Sequence, residues 1–432
     1  MNDQTPFRSP EWLRRDAIDA LHFHRERSVD THFGGYVAQV SDRDGAIYDS
    51  RTKHLVPTAR FVFTFSVGKL LDGPVWCEPA AEHGLSYLRN VAYDEERDGY
   101  AWLFEGREPT DETRSTYGHA FVLLAYATAT RAGIGDVADR IGETFDILDE
   151  QFWEADHGAF ASNRTADWEP AEPDYRGQNA NMHATEALLA AYEATGEERY
   201  RSRAATVAET IARDKPDEAD GLLCEHFTSD WEVDWEYNRD EKADLFRPWG
   251  YQPGHMLEWA KLLVRLHHHD DADWYLDRAE RFFDASVTDG WDDERGGFYY
   301  TIDREGEPIV DAKYTWALEE GLGAAARLGA TTGDDRYWSW YDRIHDYLHE
   351  YATNRSLGIR YERLTPDGSI HPSIDDDPEG QERLPPRQRL LRGAGVAGRR
   401  LTSGSRPEPP ARESATLGRS PTLISRTVER RL

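Results

Sequence analysis

The sequence predicts an all-α fold, an (α/α)6 barrel (toroid) in which short β-hairpins join outer to inner helices. Three observations predict it. A turn-rich Gly-aromatic signature recurs at a spacing of roughly sixty residues. A helical pattern with a polar face fit for solvent precedes the signature, and a more apolar helical pattern follows it across a polar loop. A unit of this size cannot bury its own apolar face, so six such units close into two concentric rings of helices.

The elements follow in chain order. An outer helix is read in "PEWLRRDAIDALHFHRER" from Pro10, a hairpin in "GGY" from Gly34 and an inner helix in "LVPTARFVFTFSVGKLL" from Leu55. "GYAWLF" at Gly99 leads to "TYGHAFVLLAYATAT" from Thr116. The outer pattern "VADRIGETFDILDEQF" from Val137 precedes "GAF" at Gly158 and "NMHATEALLAAYEA" from Asn181. "GLLCEHF" at Gly221 leads to "PGHMLEWAKLLVRL" from Pro253, where a Pro-Gly stop stands directly before His255. "GGFYY" at Gly296 leads to "YTWALEEGLGAAARL" from Tyr314, and "DRYWSWYDRIHDYLHE" from Asp335 precedes "GIRYERLTPDG" at Gly358. The pattern gives six outer helices and five inner ones. The sixth inner helix is missing.

It is missing where the composition breaks. Residues 1–379 read as the barrel domain, whereas residues 380–432 hold twelve Arg, four Glu and no Asp, Lys, His or aromatic residue. One reading is a basic, disordered Arg/Pro-rich tail. The other is a frameshift. Codons for Gly380 to Ala394, moved by one base, permit "VKSGYHPVSACYEA", a plausible start to the absent helix.

The formal charge of -30 argues against nucleic acid or an anionic membrane as a partner. The chain has six lysines against 81 acidic residues, a balance like that of a halophile's surface. Its two cysteines, Cys77 and Cys224, offer no disulfide framework or zinc pattern and fit a reducing cytosol. With no signal peptide and no apolar run of membrane length, the expectation is a cytoplasmic monomer or homodimer.

First-turn residues of the inner helices converge on one rim, and there the sequence places Arg60, His119, His183 with Glu186, His255 with Glu258, and Lys313 with Trp316. A single histidine on an apolar helix is usually structural, but three recur at equivalent places. Both His-Glu pairs have i, i+3 spacing and so share a helical face. A helix N-terminus disfavours imidazolium, and a neutral imidazole beside a carboxylate is a competent general base, with Glu258 expected to hold its tautomer. Metal binding is the rival, since His and Glu ligate zinc or manganese. The spacing is not H-E-x-x-H, and Arg60 and Arg247 add positive charge that opposes a cation. The run His267 to His269 lies far down its helix and is expected to face solvent.

At "LVPTARFVF", "YGHAFVLLAYA", "NANMHATEALLAAYEATGE", "FRPWGYQPGHMLEWAKLL" and "KYTWALEEGLGAAARL" the chain resembles the N-acylglucosamine 2-epimerase family, which includes mannose isomerases, sulfoquinovose isomerases and cellobiose 2-epimerases. These segments span residues 30–370 in family order. The resemblance implies an (α/α)6 barrel and metal-independent, cofactor-free proton transfer at C2 of an aldose through a cis-enediol(ate). By position it implies that Arg60 and Arg247 bind sugar oxygens, His183 hydrogen-bonds the sugar, His255 is one of two acid/base histidines and Trp316 is a stacking wall. The family's second acid/base histidine opens the last inner helix in a "K-x-x-Y-H" segment, which only the shifted frame "VKSGYH" permits. "NANMH", "PGHMLEW" and the single Trp316, where cellobiose epimerases tend to carry a tandem Trp, resemble the monosaccharide isomerase and acylglucosamine epimerase branches; the expectation is aldose-ketose isomerisation of a mannose-like sugar, with 2-epimerisation of N-acylglucosamine or another aldose as the alternative. Two readings from other classes stay open: a glycoside hydrolase using carboxylates such as Glu105, Asp234 and Glu258, and an inactive sugar-binding remnant.

Overall fold

The computed structural model of the protein describes residues 6–270 and 272–371. Twelve helices are found among the described residues: α1 (Pro10–Ser28), α2 (Leu55–Leu70), α3 (Cys77–Tyr87), α4 (Thr116–Arg131), α5 (Ala138–Gln151), α6 (Gln178–Thr195), α7 (Glu198–Ala208), the short α8 (Lys215–Glu218), α9 (Pro253–His267), α10 (Trp274–Thr288), α11 (Thr315–Thr332) and α12 (Asp335–Tyr351). Helices α2, α4, α6, α9 and α11 are the inner ring. They are buried along most of their length because they are apolar on every side. The outer helices α1, α3, α5, α7, α10 and α12 bury one face. Inner helices pack on one another in the order α2, α4, α6, α9, α11, and α3, α5, α7, α10 and α12 pack behind them. The expected sixth inner helix and the tail at 380–432 lie outside the described residues.

At three of the six predicted sites antiparallel hairpins stand, Tyr93–Asp94 with Gly99–Tyr100, Trp153–Glu154 with Ala159–Phe160, and Thr353–Asn354 with Ile359–Arg360; at two more, single bridges join Val29 to Tyr36 and Trp291 to Phe298. Gly158 and Gly358 turn at φ of 66° and 70°, a left-handed region that glycine enters without cost. The short strand before each inner helix pairs with the stretch after the next hairpin: Thr52–His54 with Leu103–Glu105, Arg114–Ser115 with Asn163–Arg164, Arg176–Gly177 with His226–Phe227, and Lys313–Tyr314 with Arg363–Leu364. Each unit is thereby tied to its successor. The same ladder caps the helices. The first N–H of α2, α4, α6 and α11 is taken by the carbonyl of Trp102, Ser162, Glu225 and Glu362 respectively.

A buried cation in that pre-helix strand grips the acid at the head of its own unit's hairpin. The pairs are Lys53–Asp30 (2.5 Å), Arg114–Asp94 (2.5 Å), Arg176–Glu154 (2.6 Å) and Lys313–Asp292 (2.9 Å). The ring is drawn round by contacts between its first and last units. Arg8 forks onto Asp342, Arg360 pairs with Asp16, and the Asn354 amide donates to the carbonyls of Asp42 and Arg43. Among the described residues no helix is long and apolar enough to cross a membrane.

Candidate active site

The inner helices carry the site in layers, because residues at the same step from the N-terminus of each helix stand at the same depth. The sixth residues of α2, α4, α6, α9 and α11 are Arg60, Phe121, His183, Glu258 and Glu320. They meet side by side. The Arg60 guanidinium lies 3.9 Å from the Phe121 ring centroid, and that ring lies 4.6 Å from His183. His183 Nδ1 is 3.4 Å from Glu186 and 3.8 Å from Glu258. Glu320 pairs with Lys261 of α9. Burial, then the neighbouring Glu320 carboxylate, push the Glu258 carboxyl up to about 8, so near neutral pH it is largely a neutral acid.

One turn nearer the rim stands His255, buried to 2 % exposure. Its Nδ1 lies 2.9 Å and 3.0 Å from the two carboxylate oxygens of Glu225. The expectation that Glu258 holds the tautomer of His255 is therefore corrected, because the carboxylate at Nδ1 comes from the hairpin stretch and not from the same helix. Trp316 covers His255 with ring centroids 5.1 Å apart. The close approach depends on Gly254, where a Cβ would meet the Trp316 ring at 2.6 Å and Ala317 at 2.8 Å.

Beside this machinery opens a cavity of about 440 Å³ lined by Arg60, Tyr117, Asn179, Tyr237 and Arg247 among others. Its size and its mix of rings with amides and hydroxyls suit a small polar ligand that has an apolar face. Arg60 Nη2 donates to the Tyr117 hydroxyl at 3.3 Å. Arg247 lies over the Tyr175 ring at 4.0 Å and forks onto Glu172 at 2.8 Å and 2.8 Å, with the Tyr237 hydroxyl 3.0 Å from Nη1. His54 also lines the cavity, but its Nδ1 accepts from the Val56 N–H and caps α2.

Two sequence-based expectations are corrected by position. His119 is fully buried away from the cavity lining; its Nδ1 lies 2.8 Å from the Ser115 carbonyl and its Nε2 accepts from the Tyr100 N–H. Burial pushes its pKa down to about 4, so it is a neutral structural histidine. Lys313 is one of the four buried cations paired to hairpin acids, and its ammonium is spent on Asp292. A third difference is smaller. Helix α6 begins at Gln178, one turn before Asn181, so His183 lies in the second turn with Arg60 and Glu258. His269, expected to face solvent, is half-buried 3.5 Å from Glu193.

The residues that sequence reasoning missed are Glu225, Gln178, Glu320 and Glu172. A signal existed for the first: Glu225 sits in "GLLCEHF" at the place that Trp102 and Ser162 occupy after their own hairpins, and both of those line the cavity. His183, Glu186 and Glu258 bring one ligand atom each within 4.8 Å of one another and so could hold a cation. Arg60 and Lys261 act on the same Glu258 and oppose it.

The profile of the N-acylglucosamine 2-epimerase family matches residues 34–383. The chain is 36% identical over 357 residues to a D-mannose isomerase of Marinomonas mediterranea, covering 81% of this chain and 90% of that protein. It is 37% identical over 359 residues to a D-mannose isomerase of Thermobifida fusca, covering 82% and 87% respectively. A crystal structure of a D-mannose isomerase superposes with a TM-score of 0.82 at 33% identity, over 91% of this chain and 99% of that one. On these matches, over a barrel whose inner helices carry Arg60, His183, His255 and Glu258 in their first two turns, the chain is a carbohydrate isomerase/epimerase and belongs to the N-acylglucosamine 2-epimerase family.

Proposed function

We propose that the protein interconverts a free aldose and its ketose, with mannose and fructose as the pair, by proton transfer at C2. The observation that carries this reading is the placing of His255 one turn nearer the rim than a raised Glu258 carboxyl on the same helix, with Arg60, which lines the adjoining cavity, close enough to act on that carboxyl. In the open-chain aldose the carbonyl acidifies the C2 proton, and His255 Nε2 removes it. Negative charge then grows on O1, where Arg60 stabilises it in a site shielded from water. Glu258 gives its proton to O1 and takes the proton leaving O2, while His255 returns the abstracted proton to C1. Atoms and charge balance: the aldehyde becomes the C1 alcohol and C2 becomes the ketone.

Arg247 favours an uncharged sugar. Both of its terminal nitrogens are matched to Glu172, so binding a phosphate or sulfonate there would require breaking a charge-balanced fork. Trp316, whose ring centroid lies 5.1 Å from that of His255, is the apolar wall that the family resemblance implies for the sugar. The hydrolase reading is weakened by Glu105, which is exposed and paired with Arg51, far from the burial of Glu258.

Mannose incubated with the protein in deuterium oxide is expected to yield fructose and to exchange its C2 proton. His255→Asn is expected to abolish that exchange, and undiminished exchange would remove His255 as the base. Formation of glucose in place of fructose would favour the 2-epimerase alternative. We also infer that the break at Gly380 is a shift of frame. The same assay on a chain read one base over from Gly380 is expected to give the higher rate, and equal rates in the two chains would refute the shift.

A further inference from the structure

We propose that Glu225 is a positioning residue for His255: it keeps the proton on Nδ1, so that Nε2 presents its lone pair to the substrate, and it stabilises the imidazolium formed when that nitrogen takes the C2 proton. The proposal rests on the reading of His255 as the base. It stands on a connected set of four buried side chains, Trp259, Gln178, Glu225 and His255. Trp259, one turn below His255 on α9, donates from Nε1 to Gln178 Oε1 at 2.9 Å. An indole N–H can only donate, so this contact fixes which end of the Gln178 amide faces which way. The amide nitrogen is thereby turned to Glu225 and donates to its Oε2 at 3.0 Å. A carboxylate only accepts, and its remaining capacity faces His255 Nδ1 at 2.9 Å. An ionised Glu225 facing Nδ1 at this distance favours the proton on Nδ1.

The amide nitrogen of Gln178 also lies 2.9 Å from His255 Nδ1. With Trp259 holding the amide, two donors face each other there, and both are drawn in by the same carboxylate. The backbone pins the arrangement as well, since the Gln178 N–H donates to the Glu225 carbonyl at 3.1 Å. Gln178 opens α6, Glu225 follows the fourth hairpin, and His255 and Trp259 belong to α9. Three separate elements thus converge on one imidazole nitrogen, and all four side chains are buried. Packing a core does not require a charged member in such a set. Orienting a base does.

The test is Glu225→Gln in the full chain, with Glu225→Asp beside it. A glutamine keeps the volume but offers an N–H to Nδ1, which moves the ring proton to Nε2 and blocks the base. The expected result is a fall in kcat for C2 deuteration of mannose of roughly 10²- to 10⁴-fold, with KM changed little and the circular dichroism spectrum unchanged. Glu225→Asp is expected to recover part of the loss. A Glu225→Gln protein within threefold of the parent kcat overturns the proposal. A second measurement does not depend on turnover: 15N shifts of histidine-labelled protein report the His255 tautomer. Nδ1–H in the parent and its loss in Glu225→Gln support the positioning role, even if no aldose is turned over and the proposed reaction falls. Nε2–H in the parent overturns it whatever the activity.

Discussion

At Glu258 the physics of a single residue sets both chemistry and stability. It stands sixth on its helix with Arg60, His183 and Glu320 at the same depth, and its carboxyl is raised from 4.5 to about 8. The sign of the linkage follows. Below pH 4.5 folded and unfolded chains both hold the proton, and the full stability is present. Between pH 4.5 and 8 the unfolded chain releases it and the native chain does not, so stability falls as pH rises until the native carboxyl ionises as well. Glu258→Gln mimics the neutral acid and is expected to remove this term. Urea unfolding at pH 5.5, 6.5 and 7.5 checks it: the variant should gain on the parent as pH rises, and a constant difference would contradict the shift. Arg60, His183 and Glu258 were legible in the sequence because a helix repeats its face at fixed steps. Glu225 left only the weaker signal of its place after the Gly221 signature, because that stretch has no period and its partner lies 30 residues away in sequence.

Whole elements explain why Lys313, expected at the substrate, is paired with Asp292. It stands two residues before an inner helix, where the convergence argument expects a cavity residue, yet a pre-helix strand points its side chains by pleat and not by helical turn. One face looks outward to the hairpin acid, and Lys53, Arg114, Arg176 and Lys313 all take that face. The pattern is visible in the sequence once the strand is known, as a basic residue two places before the first residue of each of four inner helices. Removing one partner of a buried pair strands the other charge. Lys313→Met is therefore expected to cost roughly 3–5 kcal/mol of stability with KM for mannose unchanged in the folded fraction. A raised KM at undiminished stability, measured by chemical unfolding alongside the assay, would return Lys313 to the substrate. The early start of α6 has a similar origin. The Glu225 carbonyl caps Gln178, so the helix begins where the ladder ends and not where the apolar stripe begins.

For the molecule as a whole, the ring was legible because one pattern repeats, and the register between units was not, because it lives in two-residue strands too short to show alternation. The surface carries a different message. A formal charge of -30 is distributed over an acid-rich exterior, and many exposed arginines are already committed to local pairs such as Arg336 with Asp284 and Arg343 with Asp293. The surplus carboxylates repel one another most in the compact state, where they are closest. Screening relieves this, since the Debye length shrinks from roughly 10 Å at 0.1 M salt to about 3 Å at 1 M. Exposed pairs lose little in return, being worth about 0–1 kcal/mol each. The thermal midpoint is therefore expected to climb by several degrees as KCl is raised from low salt, with most of the rise complete by about 1 M. Sulfate at matched ionic strength separates the causes, because exclusion from the surface keeps strengthening burial after screening has saturated. A midpoint that is flat or falls over the first molar of KCl would mean that the acidic surface does not strain the fold.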